Sequence, residues 1–324
     1  MINPKLKRLA IKILPIVDAF LFPLVYPTAL FLKFIRFVGV HYLPLCKKAL
    51  LQIGVFPIRN DYYEPMFDAR HLRHHLLQER DLKGIDWNVT QQLEMLDRFQ
   101  VENELNDVPL TKKDDLTFYL NNVRFESGDA EYWYNLIRLI KPGKIFEIGS
   151  GHSTLMAIKA IENNEQEDPA YRWKHICIEP YEMPWLEKTS ATVVRKKVED
   201  LDISFFAELD ENDILFIDSS HIIRPQGDVL FEYLELLPSL RKGVIVHVHD
   251  IFTPKDYPDK WIRKEVKFWN EQYLFEAFLT SNPSWKIIGA LNYLHHNHYA
   301  QLKAKCPFLT PDKNPGSFYI QKIS

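Results

Sequence analysis

Residues 144–154 read KIFEIGSGHST, an apolar run that ends in two glycines one residue apart. The first five residues have the length and composition of a buried β-strand. Gly149 and Gly151 let the backbone turn sharply and approach a ligand without interference from a Cβ atom. Helical character resumes at Thr154, and the unpaired N–H groups of that helix start would face the same point. The segment predicts a strand–turn–helix unit that binds a nucleotide-like cofactor, although a plain structural turn would have the same sequence.

Helices and short apolar strands alternate from residue 126 to the end of the chain, as they do around a parallel sheet. The predicted strands are 144–148, 175–178, 192–195, 213–217, 244–248, 285–290 and 317–321. The predicted helices are 130–140, 154–162, 229–237 and 261–279. Polar residues gather at the carboxyl ends of these strands, where open α/β sheets bind their ligands.

The composition of the chain excludes several classes of protein. The 324 residues carry a net charge of −3, so a nucleic-acid partner is not expected. The three cysteines are too few and too widely spaced for a disulfide framework, which favours a reducing cytosol. Their spacing also does not predict a structural zinc site.

The N-terminal segment differs from the remainder in its charge and hydropathy. Before residue 50 nearly all charges are basic, and residues 13–32 form an almost continuous apolar stretch. Its three prolines and Asp18 disfavour a simple transmembrane helix. We expect short amphipathic helices that lie on an anionic membrane face or on a partner. A true span and a structural cap with no membrane role remain alternatives.

These patterns divide the chain into three predicted regions. Residues 1–60 form the basic and apolar N-terminal helical segment, with a possible peripheral membrane contact through residues 1–50. Residues 61–125 are predicted to form a helical cap, since 71–104 shows helical spacing that is interrupted near Gly84. Residues 126–324 form the α/β domain.

A carboxylate at the end of the second predicted strand identifies the ligand more closely. Glu179 lies about thirty residues beyond the glycines, where an acid accepts hydrogen bonds from the ribose hydroxyls of an adenosine ligand. A solvated acid at a strand end is the alternative. Together, Glu179 and the glycine loop favour a cofactor that contains a nucleoside.

The fourth and fifth predicted strands end in further polar residues. Asp218 ends one strand, and His249 and Asp250 end the other, so the three should meet above the cofactor. Carboxylates suit Mg²⁺, which could hold and acidify a substrate hydroxyl. His221 has an ordinary pKa near neutrality and could accept the proton of that hydroxyl. Alternatively, the two aspartates cap turns.

The order of several motifs from residue 84 to 324 resembles a bacterial family of class I S-adenosylmethionine-dependent methyltransferases. The family is related to the sugar O-methyltransferases of macrolide and glycan pathways. The matching pieces are ESGDAEYWYNLIRLIKP from Glu126, FEIGSGHST, LFIDSSH, GDVLFEYLELLP, GVIVHVHDIF and GSFYI. The resemblance implies a Rossmann-like fold with a seven-stranded, mostly parallel sheet, helices on both faces and an N-terminal helical extension.

The resemblance also implies S-adenosylmethionine as the methyl donor and, in the macrolide relatives, Mg²⁺ between acids at two strand ends. Carried over by position, the cofactor-binding residues are Glu147, Gly149, Ser150, Gly151, Ser153, Glu179, Ser127, Asp129 and Asp218. The metal ligands are Asp218, His249 and Asp250, and the catalytic base is His221. Where the relatives usually have an acid before the second metal aspartate, this chain has His249, and imidazole is a poorer Mg²⁺ ligand.

The leading hypothesis is therefore a methyltransferase that acts on a hydroxyl of a sugar, glycan or glycolipid. We expect it in the cytoplasm, with the inner face of the membrane as a second possibility. A metal-dependent hydrolase that uses His247, His249 and Asp250 is one alternative, but it leaves Glu147 and Glu179 unexplained. A non-catalytic, cofactor-binding component of a glycan assembly is another. The acceptor and the oligomeric state do not follow from the sequence.

Overall fold

A computed structural model describes residues 4–324, with side chains from residue 11 onward. Contacts between residues divide the chain after Arg73 into two compact units. The predicted boundaries at 60 and 125 stay predictions, and residues 1–3 of the predicted N-terminal segment lie outside the described residues.

The first unit consists mainly of two helices, α1 (Pro4–Val38) and α2 (Pro44–Ile53). Single 3₁₀ turns occur at Val40–Tyr42 and Ala69–His71. The expectation of several short helices before residue 38 is wrong, because α1 is continuous through Pro15, Pro23 and Pro27. Each proline removes one backbone donor, but the intervening turns keep theirs.

In the second unit, which comprises residues 74–324, seven strands form one sheet in the order β3-β2-β1-β4-β5-β7-β6. The strands are β1 (Lys144–Ile148), β2 (Lys174–Ile178), β3 (Thr192–Val194), β4 (Ile214–Ile217), β5 (Ile245–Val248), β6 (Trp285–Ala290) and β7 (Phe318–Lys322). All neighbouring pairs are parallel except those of β7, which runs antiparallel to both β5 and β6. The predicted Rossmann-like, seven-stranded fold is confirmed.

Apolar cores cover both faces of the sheet, as a parallel sheet requires. Alternate residues of β1 show why: Ile145 belongs to one core cluster, whereas Phe146 and Ile148 belong to the other. Along a strand, successive side chains point to opposite faces. The nearly unbroken apolar runs of the central strands therefore fill two cores at once. Inside β1, β2 and β5, three buried polar side chains interrupt these runs, namely Glu147, His175 and His247.

The helices of the second unit are α3 (Val89–Arg98), α4 (Asp129–Ile140), α5 (His152–Glu167), α6 (Asp228–Phe231), α7 (Leu237–Ser239), α8 (Glu271–Leu279), α9 (Leu291–Asn297) and α10 (Tyr299–Lys305). Helix α6 runs through a π-helical turn, Glu232–Leu236, into α7. 3₁₀ turns occur at Glu102–Asp107, Leu186–Lys188, Val198–Asp200 and Ile203–Phe206.

Two predicted helices are shorter in the structure. The helical spacing seen over 71–104 corresponds to one α-helix, α3, because residues 72–88 are irregular. The predicted helix 261–279 is divided into a π-helical turn, Lys260–Lys264, and α8. Between them Val266 has a φ of +53°, which no helix allows. This interruption lies beside the candidate site.

Candidate active site

A cavity of about 580 Å³ opens at the carboxyl ends of β1, β2 and β4. Its walls are mainly the loops that follow these three strands, together with residues 197–199 after β3 and with Arg124, Phe125 and Trp269 from outside the sheet. Of the predicted site residues, the cavity wall contains Gly149, Ser150, Gly151, Ser153, Glu179, Asp218 and His221. Three separate strand ends therefore bring most of the predicted set together.

The glycine loop is held against the neighbouring strand end. Gly149 has a φ of +78°, and a Cβ atom there would lie 1.9 Å from the carbonyl oxygen of Asp218. The Asp218 N–H donates to the carbonyl of Ile148 at 2.8 Å, which fixes this close approach. Glycine at 149 is thus required by the contact between two loops as well as by the turn.

Glu147 does not line the cavity, although it was predicted to bind the cofactor. Its carboxylate is fully buried, accepts a hydrogen bond from Thr154 Oγ1 at 2.6 Å and lies 3.0 Å from His175 Nε2. Burial lowers the pKa of His175, but Cys177 and the Glu147 carboxylate outweigh it and raise that pKa to about 10. Because side chains alternate along β1, Glu147 points into the core behind the loop. It is placed to support the first turn of α5.

Three polar groups of the cavity are suited to a nucleoside ligand. Glu179 ends β2, and its Oε1 accepts hydrogen bonds from the N–H groups of Tyr181 and Glu182, which orients the carboxylate. Ser150 Oγ is buried and has no hydrogen-bond partner among the described residues, as expected for a hydroxyl that contacts a ligand. The side chain of Ser153 donates to Glu147 at 3.3 Å.

Ser127 and Asp129 were also predicted to bind the cofactor, but in the structure they have hydrogen-bond partners within the protein. The Ser127 hydroxyl donates to Glu131 at 2.6 Å, within the first turn of α4. Asp129 accepts a hydrogen bond from the N–H of Ser317 at 2.7 Å, which ties α4 to the start of β7. Neither residue belongs to the cavity wall. Asp129 therefore satisfies buried backbone N–H groups, whereas Ser127 is paired with a side-chain carboxylate.

A largely buried histidine–carboxylate cluster lies at the cavity; its members are Asp129, Asp218, His221, His249, Asp250 and Glu271. His221 is central to it. Its Nδ1 is 2.7 Å from Glu271 Oε2, and its Nε2 is 3.2 Å from Asp218 Oδ1 and 3.7 Å from Asp250 Oδ2. Trp269 packs against the imidazole at 4.2 Å between ring centroids.

Ion pairing dominates the charge state of this cluster. Burial lowers the pKa of His221, but hydrogen bonds to Asp218 and Glu271 outweigh it and hold that pKa well above the ordinary value. Burial likewise opposes charge on His249, and the nearby carboxylates of Asp250 and Asp218 raise its pKa well above the ordinary value. Burial raises the pKa of Asp218, but the two imidazoles outweigh this and lower it.

The predicted metal ligands Asp218, His249 and Asp250 lie close together. The Nδ1 atom of His249 is 3.5 Å from Asp218 and 3.6 Å from Asp250. In the described residues, one possible metal cluster at this edge of the sheet combines the two aspartates with His221 instead. Two of the side chains around this position, His221 and His249, offer imidazole nitrogens. Such a set does not fit Mg²⁺, which prefers oxygen ligands. The metal site stays a prediction.

The alternative hydrolase site is not assembled. His247 is completely buried in the core and stacks on Tyr319 at 4.1 Å between ring centroids. Burial holds its pKa well below the ordinary value. The cavity wall contains neither His247 nor His249. His247 is therefore a core residue.

Two residues of the site, Glu271 and Trp269, were not predicted from the sequence. Both lie at or just before the start of α8, where the predicted helix 261–279 is interrupted. The N–H groups of Asn270 and Glu271 donate to the carbonyl of His221 at 3.0 and 3.2 Å, which fixes them beside the histidine. His221 itself has a φ of +60°, so this loop conformation is unusual for a non-glycine residue. The spacing of the sequence contains no signal for that contact.

Residues 146–251 match the family model described as a methyltransferase domain. An uncharacterized protein of Archaeoglobus fulgidus is 30% identical over an alignment of 173 positions that covers 49% of this chain and 75% of that protein. The chain belongs to the methyltransferase family. The matched residues of this methyltransferase contain the glycine loop, Glu179 and Asp218.

Two solved structures are similar to the methyltransferase at low identity. The plantazolicin methyltransferase BpumL, solved with a desmethylplantazolicin analogue and SAH, is 11% identical. The alignment covers 72% of this chain and 99% of that one, with a TM-score of 0.36. The TDP-rhamnose 3'-O-methyltransferase CalS11 of calicheamicin biosynthesis is 15% identical; the alignment covers 78% of this chain and 98% of that one, with a TM-score of 0.38.

Proposed function

We propose that the methyltransferase acts on a hydroxyl group of a sugar, glycan or glycolipid. The observation that carries this proposal is the position of His221. Its Nδ1 is paired with the buried Glu271 carboxylate, while its Nε2 lies beside Asp218, and both His221 and Asp218 line the cavity. A histidine that is oriented by a carboxylate is the group that a sugar hydroxyl needs for deprotonation.

Each residue of the site has one role in the proposed reaction. When bound, S-adenosylmethionine supplies the electrophilic sulfonium methyl group. Glu179 accepts hydrogen bonds from the ribose hydroxyls, and the glycine loop permits close approach of the ligand. His221 Nε2 accepts the acceptor's hydroxyl proton, and Glu271 keeps the other proton on Nδ1, so that it acts as a positioning residue. Holding the acceptor oxygen in line with the methyl group supplies much of the acceleration.

Aromatic side chains in the cavity wall support a sugar as the acceptor. Phe125, Tyr181 and Trp269 all line the cavity. Tyr181 is highly exposed at 76%, so its ring is free to cover a ligand. Binding pockets commonly combine such apolar faces with a few polar groups that fix the orientation of the ligand. The polar groups here are those of Ser219, Ser220 and Arg224.

Transfer of labelled methyl groups tests the reaction class. The full-length protein is incubated with S-adenosylmethionine labelled in its methyl group and with a panel of nucleotide sugars, glycans and glycolipids. We expect a labelled product whose methyl group survives mild alkali, because an ether is stable under conditions that cleave a methyl ester. Acid hydrolysis should then release a methylated sugar that mass spectrometry identifies. An alkali-labile product, or label on nitrogen, would contradict hydroxyl methylation.

His221→Ala tests the base in the same assay. We expect the rate of methyl transfer to fall by about 10²–10⁴, the usual contribution of a general base, with unchanged affinity for S-adenosylmethionine. An unchanged rate would remove His221 from this role. Parallel reactions with EDTA should keep their full rate, whereas loss of activity that Mg²⁺ restores would favour the predicted metal site over the mechanism proposed here.

We also propose that the enzyme works in the cytoplasm, at the inner face of a membrane. Three free cysteines, Cys46, Cys177 and Cys306, are compatible with a reducing compartment. The N-terminal helix α1 supplies the proposed membrane contact, since its apolar side chains are exposed.

A further inference from the structure

Helix α1 of the first unit exposes apolar side chains on every side. Residues two positions apart lie about 200° apart around an α-helix, at 3.6 residues per turn. Phe20, Phe22 and Leu24 are such successive residues, and they are 78%, 64% and 66% exposed. A helix that lies flat on a membrane needs a polar face opposite its apolar one. Between residues 13 and 32 the sole charged residue is Asp18, so α1 has no such face.

The length of this helix matches the thickness of a bilayer. The apolar portion Ile11–Val38 comprises 28 residues. Its most apolar window of 18 residues has a mean hydropathy of 1.8, and none of that window is buried in the structure. At about 1.5 Å per residue it is about 42 Å long. The hydrocarbon core of a membrane is about 30 Å thick, so the helix reaches across it with both ends in the headgroup regions.

Charged residues near both ends fit this placement. Lys12 precedes the apolar stretch 13–32, while Lys33 and Arg36 follow it. At these positions the long basic side chains can reach the headgroups. Asp18 lies within two turns of the N-terminal end and can extend towards that interface. The internal prolines are tolerated in transmembrane helices.

We infer that α1 crosses a lipid bilayer once and anchors the enzyme to it. This inference rests on the membrane contact proposed above and makes it more specific. A surface helix and a transmembrane helix differ in the conditions that extract them from the membrane. Such an anchor keeps the enzyme at a surface where lipid-linked acceptors are concentrated.

Extraction of membranes that contain the full-length protein tests the span. We expect the protein to stay in the membrane pellet in 1 M salt and in alkaline carbonate, and to dissolve in detergent. Release by carbonate alone would overturn the span but leave the surface contact intact. Recovery in the soluble fraction in ordinary buffer, or cleavage that removes α1, would overturn both.

Single lysine substitutions on opposite sides of α1 separate the two kinds of contact. Phe22→Lys and Leu24→Lys each place a charge near the middle of the apolar run. For a span, both should move protein from the carbonate pellet to the supernatant, because a charge there costs about 2.5–3.5 kcal/mol on either side. For a surface helix, one of the two would be tolerated, and that result would contradict the span.

Leu45→Lys in α2 is the matched control for these variants. Leu45 is also exposed, at 82%, but it lies outside the apolar run. We expect this variant to behave as the unchanged protein does. All three variants should still bind S-adenosylmethionine, which shows that the catalytic unit is folded and that the extraction results concern the helix alone.

Discussion

At the scale of single residues, the pair of His221 and Glu271 determines the pH dependence of the reaction. The raised pKa of His221 means that the ring is protonated near neutral pH and becomes a base only as the pH rises. We therefore expect kcat/KM to increase with pH through a midpoint above about 6.5, the ordinary pKa of histidine. Removing a paired charge shifts such a pKa by about 1–3 units, so Glu271→Gln should move the midpoint to lower pH.

The same substitution should also reduce the maximal rate, because the imidazole loses the partner that fixes its orientation. Glu235→Gln changes an exposed glutamate and is the matched control. A merely structural role for Glu271 would lower the rate without moving the midpoint. That outcome, measured on a variant that melts at the same temperature, would contradict its assignment as a positioning residue.

Glu147 and Glu179 were both predicted to bind the cofactor, but the structure separates their roles. Glu147 forms a fully buried pair with His175, so Glu147→Ala leaves an uncompensated buried charge. We expect it to lower the free energy of unfolding by about 3–5 kcal/mol, as measured by chemical denaturation. Glu179→Ala should lower this free energy much less, because it removes the acceptor of two N–H groups but leaves no buried charge unpaired. Equal stability of the two variants would show that Glu147 does not support the fold as proposed.

At the scale of elements, the turn between β1 and α5 gives a matched pair of glycine substitutions. Gly149→Ala places a Cβ atom on the carbonyl of Asp218 at a φ of +78°. The left-handed conformation alone costs about 1–2 kcal/mol, and the overlap adds to it. We expect loss of stability and of S-adenosylmethionine binding, both measured on the purified protein.

Gly151→Ala should fold normally, because its φ of −177° suits any residue and the nearest atom to a new Cβ is 3.7 Å away. If both variants were equally stable, the contact between the glycine loop and the end of β4 would not be the constraint that we describe. If both unfolded, the turn itself would be the constraint.

The interruption between residues 264 and 271 explains why part of the site could not be predicted. The amphipathic pattern of 261–279 is that of one helix and contains no proline or glycine that would divide it. A tertiary contact interrupts the helix here, because the carbonyl of His221 accepts hydrogen bonds from the N–H groups at the start of α8. Glu271 reaches the histidine because of that contact. Its role depends on a pairing across 50 residues that no local pattern records.

At the scale of the whole molecule, the positions of the strands along the chain could be predicted because they follow from local sequence patterns. Short apolar runs predicted all seven strands to within one residue at each end. The same alternation predicted which residues meet at the carboxyl edge of the sheet. It could not predict that Asp129 turns towards β7, because that hydrogen bond joins residues 188 positions apart.

The helix of the N-terminal segment was predicted less well than the strands of the sheet. Its composition predicted a basic and apolar helical region. Because of the three prolines, this region was expected to form several short helices. The described part of α1 is continuous, since the loss of one backbone hydrogen bond at each proline does not outweigh those of the surrounding turns. The contact of that helix with lipid is tested by the extraction experiment.

The central claim is that the cavity at the ends of β1, β2 and β4 binds S-adenosylmethionine through the glycine loop and Glu179. Titration calorimetry of the full-length protein with S-adenosylmethionine tests it most directly. We predict binding to the unchanged protein and to His221→Ala. Glu179→Ala should weaken it by about 10–100-fold, the loss of hydrogen bonds to a charged group worth about 1.5–3 kcal/mol. No heat of binding with the unchanged protein, or equal affinity after Glu179→Ala, would contradict the account.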